Sequence, residues 1–235
     1  MIKKICICYV CIFPFLYRQR TRRLYSRKSL LGKGRFGNVY LAYDHTMSSE
    51  VAIKTICLKK YKKHNTRNIY NERFILEKLS NPQIVNIINS YEKNNIFHIV
   101  LELCPGEELF FTIRRCGAMP TELALPLFNS MLSTLHYIHS CNIVHRDIKL
   151  ENLIYCAQTH SIKWIDFDLA KYTFHTKELE RLTTSVGTLS YCAPEILSTY
   201  VRYNGKCIDV WSLGIVFYTI LCGDFPFVAD DAHHI

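Results

Sequence analysis

One eight-residue stretch concentrates the chemistry of this chain: His145-Arg146-Asp147-Ile148-Lys149-Leu150-Glu151-Asn152. It places two anionic or metal-binding residues, Asp147 and Asn152, and the cation of Lys149 in a single short loop. Fourteen residues after Asn152, Asp166-Phe167-Asp168 follows a strand-like apolar run at 162–165. Gly187-Thr188 and Ala193-Pro194-Glu195 come next, and Asp209-Val210-Trp211-Ser212-Leu213-Gly214 opens an apolar stretch. Ionised groups stay out of a packed interior unless they are paired or bound to metal, so a chain carrying these segments must fold around a polar site.

The hydrophobic pattern supplies the elements around that site. From about Tyr25 the chain reads as short β-like runs separated by glycine turns, with strands predicted at 38–43 and 51–57 from their β-branched and aromatic residues. The spacing predicts a helix over 65–79 with Ile69, Phe74, Ile75 and Leu79 on its apolar face, and two further strands at 84–89 and 96–103. The chain then turns helical. Thr121 is the expected cap of a long helix with the stripe Phe128, Met131, Leu132, Leu135 and Ile138, and Pro126 should cost it a hydrogen bond or kink it. Residues 209–222 are apolar almost all round, the mark of a helix buried on every side. A β-rich half thus precedes an α-rich half, with a crossover near 104–106 and no internal repeat, and the fold class is α+β.

Composition narrows the function classes. The 235 residues suffice for one large domain or two small lobes, and a 49% hydrophobic content excludes a disordered or collagen-like chain. The net charge of +9 is misleading, because residues 1–35 hold ten Lys or Arg and no acidic residue, whereas the remaining 200 hold 19 basic and 20 acidic side chains. The folded body therefore lacks the charge of a nucleic-acid-binding domain. The apolar run at 5–17, broken by Pro14 and followed by the basic stretch 18–23, is too short for an ordinary membrane span. Residues 1–24 are read as a leader with no assigned structure, a membrane-surface anchor or organellar presequence being the alternative, and the location expected is cytoplasm or nucleus rather than a membrane. Eleven scattered Cys without paired CxxC spacing read as reduced thiols, and Cys6, Cys8 and Cys11 lack a nearby fourth metal ligand.

Two further motifs lie in the β-rich half. Gly32-Lys33-Gly34-Arg35-Phe36-Gly37-Asn38-Val39 is a GxGxxGxV segment. A dinucleotide-binding glycine loop opens a helix, whereas a strand follows here, so this loop is expected to be a β-hairpin lid whose backbone amides approach phosphate oxygens. Seventeen residues after Gly37, Lys54 in Val51-Ala52-Ile53-Lys54 can point into the cleft beneath the lid, and Glu72 on the following helix can pair with it. The plain alternative for Lys54 is a solvated strand face.

Taken together and in this order, these motifs resemble those of eukaryotic protein kinases over residues 25–235. The resemblance implies a two-lobed kinase fold, a β-rich N-lobe at 25–103 and an α-rich C-lobe at 104–235, with ATP and magnesium as cofactors and protein hydroxyls as substrates. It implies that Asp147 accepts or orients the substrate hydroxyl and that Lys149 neutralises charge on the transferring phosphoryl. Asn152 and Asp166 would hold magnesium, and Lys54, locked by Glu72, would position the phosphates. Val39, Ala52 and Leu153 would sandwich adenine behind Leu101, Glu102 and Leu103 would offer hinge backbone groups, and Glu108 would reach the ribose. Lys149 and Gly187-Thr188 resemble the serine/threonine branch, and 105–110 with 185–195 the calmodulin-dependent, AMP-activated and checkpoint group. Thr184, beside Thr183 and Ser185, is the expected activation-segment phosphosite facing Arg146.

Two features depart from the family. Asp168 stands where the magnesium loop usually has Gly, which removes backbone freedom and adds a carboxylate beside Asp166. The chain stops at Ile235, short of the helices that end the family's C-lobe, so Glu195 would lack its Arg partner, and the expectation is either a fragment or truncated product or another chain that covers the lower lobe. A pseudokinase or scaffold of the same fold is the alternative these departures raise. A small-molecule kinase is disfavoured by the peptide-positioning segments.

Overall fold

The computed structural model describes residues 24–33, 37–61, 69–173, 189–197 and 204–227. The leader at 1–23, the loop tip Gly34-Arg35-Phe36, Lys62 and Lys63, and the segment bearing Thr183, Thr184, Ser185, Gly187 and Thr188 lie outside the described residues.

The first half is an antiparallel sheet of five strands: β1 (Tyr25–Lys33), β2 (Gly37–Asp44), β3 (Ser49–Cys57), β4 (Ile87–Lys93) and β5 (Ile96–Glu102). Their order is β1-β2-β3-β5-β4. The turns follow local chemistry. Asp44 Oδ1 accepts from the amides of Thr46 and Met47 at 2.7 and 3.1 Å, and Asn94 and Asn95 turn β4 into β5 with φ of 51° and 59°. Alternation along β3 sends Ala52, Lys54 and Ile56 to the face that packs on the main core with Phe97, Ile99 and Leu101. Val51 and Ile53 go to the other face, where Ala42 and Val100 complete a smaller core. One strand thereby delivers a lysine to the side of the sheet that meets the rest of the chain.

The 84–89 strand is corrected: β4 begins at Ile87, because Asn81 turns the chain through bonds to the amides of Gln83 and Ile84. Ile84 instead bridges Trp164 of the second half. Between β3 and β4 lie α1 (Leu58–Tyr61), so the lysine run begins as a helical turn, and α2 (Asn71–Leu76). The described helix spans Asn71–Leu76 rather than 65–79; of the residues expected on its apolar face Ile69, Ile75 and Leu79 are buried, with Leu76 beside them, but Phe74 is 47% exposed. Its ring meets Tyr172 edge-on at 6.3 Å, with the Lys78 ammonium 4.6 Å above it.

The second half contains β6 (Glu107–Glu108), α3 (Leu109–Cys116), α4 (Thr121–Ser140), β7 (Ile143–Val144), β8 (Leu153–Cys156), β9 (Ser161–Trp164), β10 (Lys171–Tyr172), α5 (Pro194–Leu197) and α6 (Gly205–Cys222). β6, β8 and β9 form one small sheet, and β7 pairs with β10. Gly106 makes the first pairing possible: its φ is 116°, and a Cβ there would lie 2.2 Å from the Tyr155 carbonyl oxygen. Helix α4 begins at Thr121, which is its first helical residue rather than its cap; Pro120 occupies the cap position. Met131, Leu135 and Ile138 are buried as expected, together with Ala124, Leu127 and Thr134. Leu132 is not; its side of the helix faces solvent. Phe128 is half-buried and stacks on Phe217 at 3.9 Å.

Helix α6 starts at Gly205, with Asn204 as its cap through a bond from the Lys206 amide. Asp209 therefore lies inside the helix and does not cap it. Nor is α6 buried on every side, since Val210 and Tyr218 are exposed. Among the described residues it is the one helix long and apolar enough to cross a membrane. Its buried Ile208, Leu213, Val216 and Ile220 instead join it to the protein core. Every described cysteine is free, and the described elements form the expected α+β arrangement.

The register of α4 is open to test. Met131→Ala should lower the unfolding free energy by about 2–5 kcal/mol, whereas Leu132→Ala should change it by only about 0.5 kcal/mol, as read by urea denaturation.

Candidate active site

The Lys54 ammonium is the meeting point of three elements. Its Nζ lies 2.9 Å from Glu72 Oε2 on α2, 2.9 Å from Asp166 Oδ1 and 2.7 Å from Asp168 Oδ2. Lys54 is 5% exposed and Glu72 1%, which disposes of the solvated-face alternative for this lysine. Burial alone would lower the Lys54 pKa, but the charges of Glu72, Asp166 and Asp168 outweigh it and hold the ammonium well above the usual lysine range. Burial likewise opposes ionisation of Asp166, yet Lys54 wins and draws its carboxyl down to about 2. Asp168 goes the other way: burial and the neighbouring Glu72 charge push its carboxyl well above the ordinary value.

The backbone distributes strain differently from the expectation at position 168. Asp168 avoids the left-handed region, and the positive φ values fall at Asp166 (61°) and Arg146 (66°). Phe167 is fully buried, its ring 4.7 Å from that of His145. Asn71, next to Glu72, donates to the Ala170 carbonyl at 2.7 Å and ties α2 to the segment after Asp168.

The loop from His145 to Asn152 is held from beneath by α6. Asp209 is fully buried and accepts from the amides of His145 (2.8 Å) and Arg146 (2.7 Å) and from His139 Nε2 (2.8 Å). Arg146 Nε donates to the Leu169 carbonyl at 2.6 Å, joining the loop to the Asp166 segment. His145 is buried, its imidazole pushed toward the neutral form by that burial, and its Nδ1 accepts from the Asp147 amide at 3.3 Å. It is a packing and hydrogen-bonding residue, as its sequence context suggests. Asp147 Oδ2 accepts from Lys149 Nζ at 2.7 Å and from Asn152 Nδ2 at 2.9 Å. The Ile165 amide donates to the Asn152 carbonyl at 2.9 Å, so the two expected metal-binding residues, Asn152 and Asp166, stand on adjoining backbones.

The described flanks of the glycine segment pair as antiparallel strands. Gly32 pairs with Val39 and Lys33 with Asn38 across β1 and β2, and a Cβ on Gly37 would lie 1.9 Å from the Thr55 carbonyl oxygen. Ala52, Leu101 and Leu153 are buried in one extended core cluster against which Val39 and Leu103 pack, and Ala52 pairs with Leu101 across β3 and β5. The Glu102 amide donates to the Asn86 carbonyl at 3.0 Å, and its carboxylate binds Asn86 and Lys163. Glu108 is half-buried at the start of α3, its carboxyl raised first by burial and then by the Glu151 charge.

Sequence reasoning missed three supports: Asn71, the Arg146–Leu169 bond, and Tyr191, whose hydroxyl accepts from the Leu150 amide and donates to Glu151. No local pattern marks any of them. Among the described residues Glu195 makes no ion pair.

The donors suit a magnesium–nucleotide pair. The nitrogen of the Asn152 amide is engaged by Asp147, which leaves the amide oxygen for a cation, and Asp166 adds a carboxylate held ionised. Hard oxygen donors of this kind favour magnesium. Glu72, Asp166 and Asp168 also approach one another closely enough to hold a cation, but the Lys54 ammonium already sits among them.

Removing Asp209 should loosen the loop without touching its reactive groups. Asp209→Ala leaves two buried amides without their acceptor and should cost about 2–5 kcal/mol of stability, measured by thermal and urea unfolding.

Residues 25–235 match the protein kinase domain family model. The calcium/calmodulin-dependent protein kinase cmkA of Emericella nidulans is 37% identical over 215 residues, covering 88% of this chain and 50% of that protein. Calcium-dependent protein kinase 3 of Plasmodium yoelii yoelii is 39% identical over 207 residues, 87% of this chain and 37% of its own. The serine/threonine-protein kinase SIK2 of Gallus gallus is 36% identical over 203 residues, 86% of this chain and 25% of its own. The chain thus spans half or less of the length of these relatives. Paired strands flanking a glycine-rich segment, a buried Lys–Glu pair, a loop with Asp147, Lys149 and Asn152, and a family match over most of its length lead to one conclusion: this chain belongs to the protein kinase family.

Proposed function

We propose that the chain is a serine/threonine protein kinase that transfers the γ-phosphoryl group of magnesium-bound ATP to protein hydroxyls. The observation that carries this reading is the joining of two charge clusters. Asp147, Lys149 and Asn152 form one at 2.7–2.9 Å, and the Ile165–Asn152 backbone bond sets it beside the Lys54–Asp166 pair. ATP supplies the phosphoryl group and magnesium offsets its charge. The chain's own residues position and neutralise. Asp147, oriented by Lys149 and Asn152, receives the proton of the substrate hydroxyl. Lys149 lies where it can offset charge on the moving phosphoryl. Lys54, braced by Glu72, orients the phosphates, and the apolar walls at Ala52 and Leu153 exclude water from the base.

The acidic pair Glu108 and Glu151 suggests proteins with basic residues near the target hydroxyl. The Lys149 charge acts on Glu108, and Thr219, at the position in α6 where basophilic members of the resembling family carry a further acidic residue, is buried and bonded to the Ile215 carbonyl. The second reading, a pseudokinase, draws support from Asp168 on Lys54.

Radiolabelled ATP with magnesium and a mixed protein substrate should yield phosphoserine and phosphothreonine. Asp147→Asn should reduce transfer by roughly 10²-fold or more, the range of a lost acid–base group. Magnesium-dependent stabilisation by ATP without transfer in the wild type would establish the pseudokinase reading instead. On peptide arrays, enrichment of Arg or Lys upstream of the target should fall in Glu108→Gln and Glu151→Gln, and an array without such enrichment in the wild type would remove the basic-substrate proposal.

A further inference from the structure

Three carboxylates surround one ammonium. Glu72, Asp166 and Asp168 all lie within 2.9 Å of Nζ, and Asp166 Oδ1 accepts a hydrogen bond from it, so carboxyl groups occupy the space around the ammonium that a phosphate would take. The cluster also carries excess negative charge in a buried place, where charges interact strongly. A polyanionic ligand approaching Lys54 therefore meets both an ammonium already surrounded by carboxyl groups and a repulsive field. Glu72 is 1% exposed and anchored on α2, so it stays. Asp168, with its side chain 14% exposed, is the partner added at a position where the resembling family usually has Gly.

We propose that Asp168 competes with phosphate for Lys54, so that nucleotide gains the lysine only when a divalent cation draws the Asp166 and Asp168 carboxylates away from it. Asp168 is thus a positioning residue that makes phosphate capture conditional on metal. Adenosine, which has no phosphate, is indifferent to it. The proposal rests on the nucleotide reading above, and its test separates the two.

Calorimetric titration of the full chain with ADP and with adenosine, in EDTA and in magnesium, is run on the wild type, Asp168→Gly and Asp168→Asn. In EDTA, Asp168→Gly should bind ADP about tenfold or more tightly than the wild type, with Asp168→Asn shifted in the same direction. In magnesium the difference should shrink to about threefold or less, and adenosine should bind all three proteins equally. Equal ADP affinities in EDTA, with adenosine and magnesium–ADP still bound, overturn the proposal and leave the kinase reading standing. A parallel change in adenosine affinity also overturns it, because the substitution would then act on the whole pocket. Absence of nucleoside and nucleotide binding by the folded wild type overturns both.

Discussion

The ammonium of Lys54 cannot be buried alone. Taking an unpaired charge out of water costs several kcal/mol, so this lysine is tolerable inside the protein only while carboxylates converge on it. That requirement joins parts of the chain that lie far apart in sequence. Strand β3 supplies the cation, α2 supplies Glu72, and the segment after β9 supplies Asp166 and Asp168 from more than a hundred residues away. The sheet half and the helical half therefore share an electrostatic contact as well as an apolar one. The apolar contact runs alongside it, through Ile84, Trp164 and Phe167.

A second buried charge does the same for the other side of the cleft. Asp209 lies in the middle of α6 and is completely buried, which only its three donors make acceptable. Those donors include the amides of His145 and Arg146, so α6 holds the loop backbone while Asp147, Lys149 and Asn152 reach toward the cleft. The left-handed Arg146 is one result, and a tightly determined setting is what such a conformation needs. Rigid support beneath and a small set of charged groups above is the arrangement that lets positioning and electrostatics supply a rate.

Much of this was legible in the sequence, for identifiable reasons. Strands β2, β3 and β5 announce themselves through β-branched and aromatic runs, and the glycine segment followed by a strand already implies a hairpin. Asp147, Asn152 and Asp166 stand out because their motifs, in order and spacing, resemble those of protein kinases, and Lys54 and Glu72 because charged residues beside apolar runs demand partners. What periodicity handled poorly were residues at the edge of a face. Phe74 and Leu132 fit an apolar stripe by spacing, yet Tyr172 and Lys78 shelter the first from outside the core, and the second meets solvent. Residues 84–86 read as strand by composition, but the Asn81 turn redirects them to Trp164. Thr121 and Asp209 have the chemistry of caps, and neither is one, because Pro120 and Asn204 hold those positions.

The sequence by itself determined the order of elements, the class of fold and the groups gathered at the cleft, since periodicity and the cost of burying charge act through residue type and spacing. Only the tertiary structure decided how those groups share their partners. That Asp168 lies on Lys54, that the Glu102 amide is taken by Asn86, and that Tyr191 and Asn71 brace the site depend on hydrogen bonds between distant segments. Such bonds are short-ranged and directional. Their existence turns on ångström-scale placement of backbones that local sequence does not encode.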